Sequence, residues 1–268
     1  MQGGIVIFGH GYVSSYLARA LSHQGLHVHI STRDPKKFNS ISALGATPFL
    51  FGDPLPELPT HILDTVPPHE GLPPALQVYK TFPSTIRWAG YISTTGVYGP
   101  ASGSNITEKS PPDGTHPRGA ARLTSEAAWA KTGLPLHIFR LAGIYGPHRN
   151  MLQRVIENDF TGLPNDDIPV HRMHIEDIVQ TIMASQATPT PGEIFNLCDD
   201  DPAPTYEVLC HAADLLGRAH PVIPQGTTGR MTASHPRHIS NAKIKKTLGI
   251  KLLHPSYHEG LASLVKSL

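Results

Sequence analysis

Two glycines, Gly9 and Gly11, follow the apolar run Ile5-Val-Ile-Phe8 and lead straight into a helical pattern. Val13, Tyr16, Leu17, Ala20 and Leu21 recur at helical spacing and share one face. Strand, glycine turn and helix make the pattern of a dinucleotide-binding βα unit. The glycines let the backbone turn tightly and approach a pyrophosphate, which then rests on the helix N-terminus. Gly9, His10, Gly11, Tyr12 and Val13 would form that cradle, with Ser14 where a third glycine would ease helix-to-strand contact. The competing reading is a structural turn, since glycine punctuates loops generally. Further along, Arg118 and Arg122 stand one helical turn apart on the pattern His116–Trp129. A guanidinium, with its pKa above about 12, cannot exchange protons near neutrality. The pair could clamp a substrate carboxylate or phosphate, or a cofactor phosphate. Alternatively, Arg122 pairs with Glu126 on a solvated helix face. Tyr98, Tyr145, His148 and His174 are the side chains that could move a proton, the tyrosines only with help from a nearby cation.

Those groups need a scaffold, and the chain supplies strands alternating with helices. Leu26–Ile30 reads as the second strand, followed by Ser31, Thr32 and Arg33 where the adenosine ribose would lie. No acidic residue stands at that strand end to take a 2′-hydroxyl, whereas Arg33 could fork onto a 2′-phosphate, so NADP is expected over NAD. Asp34 and Pro35 have the types of an N-cap and first helical residue. Ala46–Phe51 gives a third strand ending near Asp53, beside the adenine. His61–Asp64 gives a fourth, with Thr65-Val66-Pro67-Pro68 running along the cofactor or merely stopping the strand. A weak helix follows over Leu72–Thr81, then a fifth strand over Trp88–Ile92. Such alternation predicts a parallel sheet covered on both faces.

Composition excludes several alternatives. The 268 residues carry a formal net charge of +1, which argues against nucleic acid and against anionic membrane surfaces. No apolar run approaches the roughly 20 residues of a membrane span. The N-terminus has no basic n-region, and the 2 cysteines, Cys198 and Cys210, suggest no disulfide frame, so a reducing cytoplasm is expected. The 17 histidines include the pairs His27/His29, His171/His174 and His235/His238. His27 and His29 would share a strand face, but no Asp, Glu or Cys nearby completes a ligand set, and no metal is expected.

Ile92-Ser-Thr-Thr-Gly-Val-Tyr-Gly99 resembles the strand-five signature of the extended short-chain dehydrogenase/reductase family, which includes NAD-dependent epimerases and dehydratases. The likeness continues through Arg140–Asn150, Arg172–Ile178, Glu193–Asp199, Ser240–Gly249 and Pro255–Leu261. It implies a Rossmann-type, doubly wound α/β sheet with a smaller, mostly helical C-terminal lobe. The cofactor domain would take residues 1–149 and 172–200, and the substrate lobe 150–171 and 201–268, with a loop from Ala219 to Arg237 over the substrate mouth. The family uses a Ser/Thr after strand five and a Tyr-x-x-x-Lys on the next helix. Thr94 matches the first, but Arg118 and Arg122 occupy the tyrosine and lysine positions. The resemblance implies further cofactor contacts at Ser93, Thr94, Arg122, Ala142 and Gly143. It implies substrate contacts at Thr95, Arg118, His148, Arg149, Asn150 and His174, and a homodimer through the helix bearing Arg118 to Ala130. The expected function is an NADP-dependent oxidoreductase or epimerase-like enzyme for a small polar or anionic substrate. The alternative is a non-catalytic NADP-binding sensor or scaffold.

Overall fold

The computed structural model describes residues 3–56, 59–99, 104–163, 167–222 and 237–266. Most of the expected loop from Ala219 to Arg237, including His235, lies outside them. The chain opens with β1 (Gly4–Phe8), α1 (Tyr12–His23) and β2 (Val28–Thr32). A 3-10 turn, Pro35–Lys37, leads into α2 (Phe38–Ser42), and Asp34 caps that turn by accepting the Lys36 amide at 3.0 Å. Then come β3 (Thr47–Leu50), β4 (Pro59–Asp64), α3 (Pro74–Val78), β5 (Trp88–Thr94) and β6 (Asn105–Ile106). α4 (Pro117–Ala130) precedes β7 (Leu136–Leu141), β8 (Gly143–Tyr145), α5 (Met151–Glu157), β9 (Arg172–His174) and α6 (Ile175–Ala187). The chain ends with β10 (Glu193–Leu197), α7 (Thr205–Leu215), β11 (His238–Ile239), α8 (Ala242–Leu248) and α9 (Tyr257–Val265).

Seven strands form one parallel sheet in the order β10-β7-β5-β4-β1-β2-β3. The order reverses between β1 and β4, which opens a crevice at their carboxyl ends. Alternation along each strand feeds two cores. Ile5, Ile7, Leu63 and Phe139 pack with Leu17, Leu21, Ile178, Ile182 and Ile244 on one face. Val6, Phe8, Ile62 and Tyr91 pack with Ala75, Tyr79 and Trp129 on the other. Helices therefore cover both faces, and the fold is a Rossmann-type α/β sheet. A third cluster, in which Leu152, Val155, Val208, Leu209, Ala212 and Leu261 meet, joins α5, α7 and α9 into the helical lobe.

The helix expected over Leu72–Thr81 is shorter, reaching only Pro74–Val78. Tyr79 turns extended instead, because its ring stacks on Phe8 at 5.1 Å and its hydroxyl bridges the Gly52 amide and the Asp53 carbonyl. Tertiary packing overrides a weak helical pattern there.

Candidate functional site

The expected cofactor cradle turns on Gly9. Its φ of +94° is left-handed, and a Cβ there would come within 2.9 Å of Val66 Cγ2 and 3.0 Å of Thr65 Oγ1. Thr65 locks the two strand ends together, its hydroxyl donating to the Phe8 carbonyl at 2.8 Å. A Cβ on Gly11, by contrast, would meet nothing within 4 Å, so the turn is open at the N-terminus of α1. The first-turn amides of Tyr12 and Val13 have no intrahelical acceptor and face an anion-friendly dipole end. Ser14 is fully buried rather than crowded. Its hydroxyl accepts the Gly11 amide at 2.7 Å and donates to the Gly11 carbonyl at 2.9 Å, so it braces the turn. His10 Nδ1 is buried without a partner among the described residues; burial, then the Lys37 charge, pushes this imidazole below its usual range. An open turn, free helix amides and an orphaned imidazole fit a bound dinucleotide.

At the adenosine end, Thr32 Oγ1 accepts the Asp34 amide at 3.1 Å, while Arg33 is exposed. Asp34 is committed to its cap, leaving Arg33, Lys36 and Lys37 as the charges nearby. Asp53 and Pro67 are exposed beside the same edge of the sheet.

Beyond β5, Thr94 caps the following turn by accepting the Gly96 amide at 3.0 Å, and Thr95 Oγ1 reaches the Leu141 carbonyl at 3.4 Å. α4 lies directly on this turn because Gly119 has no side chain; a Cβ would stand 2.7 Å from the Gly96 carbonyl oxygen. Arg122 does not pair with Glu126. Its Nη1 donates to the Ile92 carbonyl at 2.7 Å and to the Tyr91 hydroxyl at 3.2 Å. Glu126 is taken instead by Arg140, through bonds of 3.1 and 2.7 Å, and by the Ser93 hydroxyl at 2.6 Å. Arg140 also donates to the Tyr98 hydroxyl at 2.8 Å, and Tyr98 donates to Asn196 Oδ1 at 2.9 Å. Ser93 and Tyr98 are therefore spent inside a buried network. Burial pushes the Tyr98 phenol up, against the pull of Arg140. Arg118 is exposed, and its guanidinium makes no ion pair or hydrogen bond among the described residues.

Between the sheet and the helical lobe lies a cleft of about 820 Å³. Of the residues expected from sequence, Thr95, Gly143, Tyr145, His148, Arg149 and Asn150 line it; Tyr98, Arg118, Arg122 and His174 do not. The lining segment is tied to the cofactor turn, because the Tyr12 hydroxyl donates to the Pro147 carbonyl at 2.9 Å and Arg149 sits over the Tyr12 ring at 5.6 Å. Asn150 caps α5, accepting the Gln153 amide at 2.9 Å. His148 is exposed with φ +59°. Ala142 is held by its amide bond to the Leu197 carbonyl at 2.9 Å. Tyr145 is buried, its hydroxyl donating to the Ser256 carbonyl at 3.2 Å. Burial first, and then the charges of Asp199 and Asp177, push that phenol far up. His174 is buried behind it, edge-on to the Tyr145 ring.

The cleft also gathers three arginines that were not among the expected site residues, Arg154, Arg172 and Arg237, together with His171. Arg154 is neutralised by Asp159 at 2.5 Å. Arg172 is 8% exposed, and its donors go to uncharged acceptors: Val170 O at 2.7 Å, Ala203 O at 2.8 Å and Thr205 Oγ1 at 3.3 Å. No direct ion pair holds it among the described residues; burial lowers its pKa, against the charges of Asp199 and Glu207. Arg237 bonds to the Tyr98 carbonyl, and burial lowers its pKa as well. His171 Nε2 accepts the Ile239 amide at 2.9 Å while Nδ1 faces Asp199 Oδ1 at 3.7 Å. Arg172 lies inside a quoted family block, so a signal for it existed; Arg237 had none, because only the fold brings it here.

Comparisons agree with this geometry. A solved structure of a conserved protein of unknown function from Silicibacter pomeroyi DSS is 35% identical, covers 99% of both chains and superposes with a TM-score of 0.90. UDP-glucuronic acid 4-epimerase from Bacillus cereus, solved with NAD, is 16% identical over 98% of this chain and 97% of that one, with a TM-score of 0.77. In sequence, mouse dTDP-D-glucose 4,6-dehydratase is 27% identical over 120 residues, 40% of this chain. The chain spans 34–58% of the length of the first curated relatives it matches. No family model matches. The fold is thus the one seen in these solved epimerase and dehydratase structures. The chain belongs to the family of the Silicibacter pomeroyi protein.

Proposed function

We propose that the chain is an NADP-preferring, epimerase-like oxidoreductase for a small anionic substrate. The carrying observation is Arg172, a buried guanidinium whose own hydrogen bonds all go to uncharged acceptors, in a cleft that adjoins the strand ends holding Thr95 and Gly143. Asp199 and Glu207 supply negative charge nearby, yet burial still outweighs them, and an anion in the cleft would offset that cost. A substrate carboxylate or phosphate in that place would be oriented by Arg172 and Arg237. The bound nicotinamide would supply hydride transfer. Gly9, Gly11 and the α1 amides would hold its pyrophosphate, with Arg33 on the 2′-phosphate and Arg122 held at the ribose end by Ile92 O. Thr95 lines the cleft at the reacting end, and Thr94 would fix the turn beside it through the Gly96 amide. Of the proton-transfer candidates, His148 is the imidazole that lines the cleft. Cytoplasmic residence and a homodimer through α4 belong to the same reading; among the described residues no helix is long and apolar enough to cross a membrane.

The cofactor half is tested by calorimetric titration. NADPH is expected to bind at least about 10-fold more tightly than NADH, the worth of one charge-assisted fork, and Arg33→Ala to erase the difference. Equal affinities in the parent protein sink the NADP preference. The sensor reading rests on arginines at both family catalytic positions. It moves ahead if NADPH binds but is not consumed with any keto acid, sugar phosphate or nucleotide sugar offered.

A further inference from the structure

Behind the Tyr145 ring, outside the cleft, two imidazoles from distant parts of the chain meet one carboxylate. His174 closes β9, Glu176 lies in the first turn of α6, and His254 comes from the segment leading to α9. His254 Nε2 lies 2.7 Å from Glu176 Oε2, and His174 Nδ1 lies 3.7 Å from the same oxygen. The two rings are 3.9 Å apart between centroids. The three ligand atoms all fall within 4.8 Å of one another. A tetrahedral zinc ion, with ligands at about 2.0–2.2 Å, spaces its donors about 3.3 Å apart. The cluster therefore needs adjustments of well under 2 Å, roughly the difference between those spacings, to surround one ion.

The supports are built in. Asp177, fully buried, accepts the Leu253 amide at 2.7 Å and the His254 amide at 3.0 Å, which bolts the His254 backbone to α6. His174 is 1% exposed and sits edge-on to Tyr145. Its Nδ1 receives one long bond, from the Glu176 amide at 3.3 Å, and its Nε2 has no partner among the described residues. His174 caps α6 through that Nδ1 bond, which places a buried imidazole against the His254–Glu176 pair. Glu176 is more than half exposed, leaving a side open for water as a further ligand.

We propose that His174, Glu176 and His254 form a binding site for a zinc-type divalent cation that fastens the start of α6 to the segment before α9. His254 is brought to His174 and Glu176 by the fold, from a distant part of the chain.

The test uses the full chain, stripped with chelator and dialysed. Zinc titration is expected to show one tight equivalent and to raise the melting temperature. Cobalt is expected to give the visible bands of a four- or five-coordinate ion. Glu176→Gln alters an exposed side chain and should melt near the parent value without metal, yet weaken zinc at least about 10-fold and abolish the cobalt bands. His254→Ala should do the same, whereas a His27→Ala/His29→Ala control should leave both signals in place. The proposal is overturned if the parent binds no zinc at micromolar concentration, or if binding and melting shift persist in both Glu176→Gln and His254→Ala.

Discussion

Asp64 closes β4 beneath the cofactor turn, and its carboxyl group is completely buried. Oδ1 accepts the Val66 amide at 2.9 Å and Oδ2 the Trp129 indole N–H at 3.0 Å. Those two bonds and the Arg122 charge favour the carboxylate, but burial outweighs them and pushes the group up to about 7 from its ordinary 3.8. Asp64 should therefore make the protein less stable as pH rises. Below the lower value both folded and unfolded chains are protonated. Between the two, only the folded chain keeps the proton, so the unfolded chain binds fewer and stability falls with pH. Above the upper value the loss is complete. Three pH units at about 1.4 kcal/mol each make the total about 4 kcal/mol. Asp64→Asn removes this slope. The amide sets a donor against the Trp129 N–H, a penalty of about 1–3 kcal/mol that does not depend on pH. Urea unfolding of both proteins in steps from about pH 4 to 8 should give a stability difference that moves by about 4 kcal/mol in the variant's favour. A difference that stays constant across that range refutes the reasoning. The titration bears on the cofactor too, because Asp64 holds the Val66 amide in the loop that Gly9 packs against.

Glu126→Ala should lower stability by about 3–5 kcal/mol in denaturant unfolding, because it leaves Arg140 charged and unpaired in the interior. Arg172→Met should weaken both function and fold. Affinity for a small carboxylate or phosphate should fall about 10- to 100-fold by calorimetry, the worth of a charged hydrogen-bonding partner, and stability should fall by about 1–3 kcal/mol because the Val170 and Ala203 carbonyls lose their donor. Unchanged anion affinity in that variant would remove the cleft's claim to an anionic substrate.

Sequence reasoning reached whatever is local or periodic. The strand–turn–helix at Gly9, the cap at Asp34, and the alternation that buries Ile5 and Ile7 against one helix layer and Val6 and Phe8 against the other all depend on neighbours within a few turns. The cleft does not. Arg149, Arg172 and Arg237 lie far apart in the chain and converge only because the helical lobe folds back on the strand ends. Tyr98 shows the limit from the other side. Its position after β5 suggested chemistry, but its surroundings, Arg140 and Asn196, come from β7 and β10 and turn it into a buried strut.

Arg122 carries the argument furthest. It stands at the lysine position of the family pattern, and the alternative from sequence was an exchange of charge with Glu126, one turn on. The structure denies that exchange because Glu126 is saturated by Arg140 and Ser93. The guanidinium turns instead to the Ile92 carbonyl and the Tyr91 hydroxyl, two and three residues before Thr94. A cation is thus kept beside the strand end, held by backbone, where it can bind and orient but cannot tune a tyrosine, since Arg118 replaces that tyrosine and points into solvent. Any proton moved in this site must therefore come from the cleft side, from the segment that Tyr12 ties to the cofactor turn, rather than from α4.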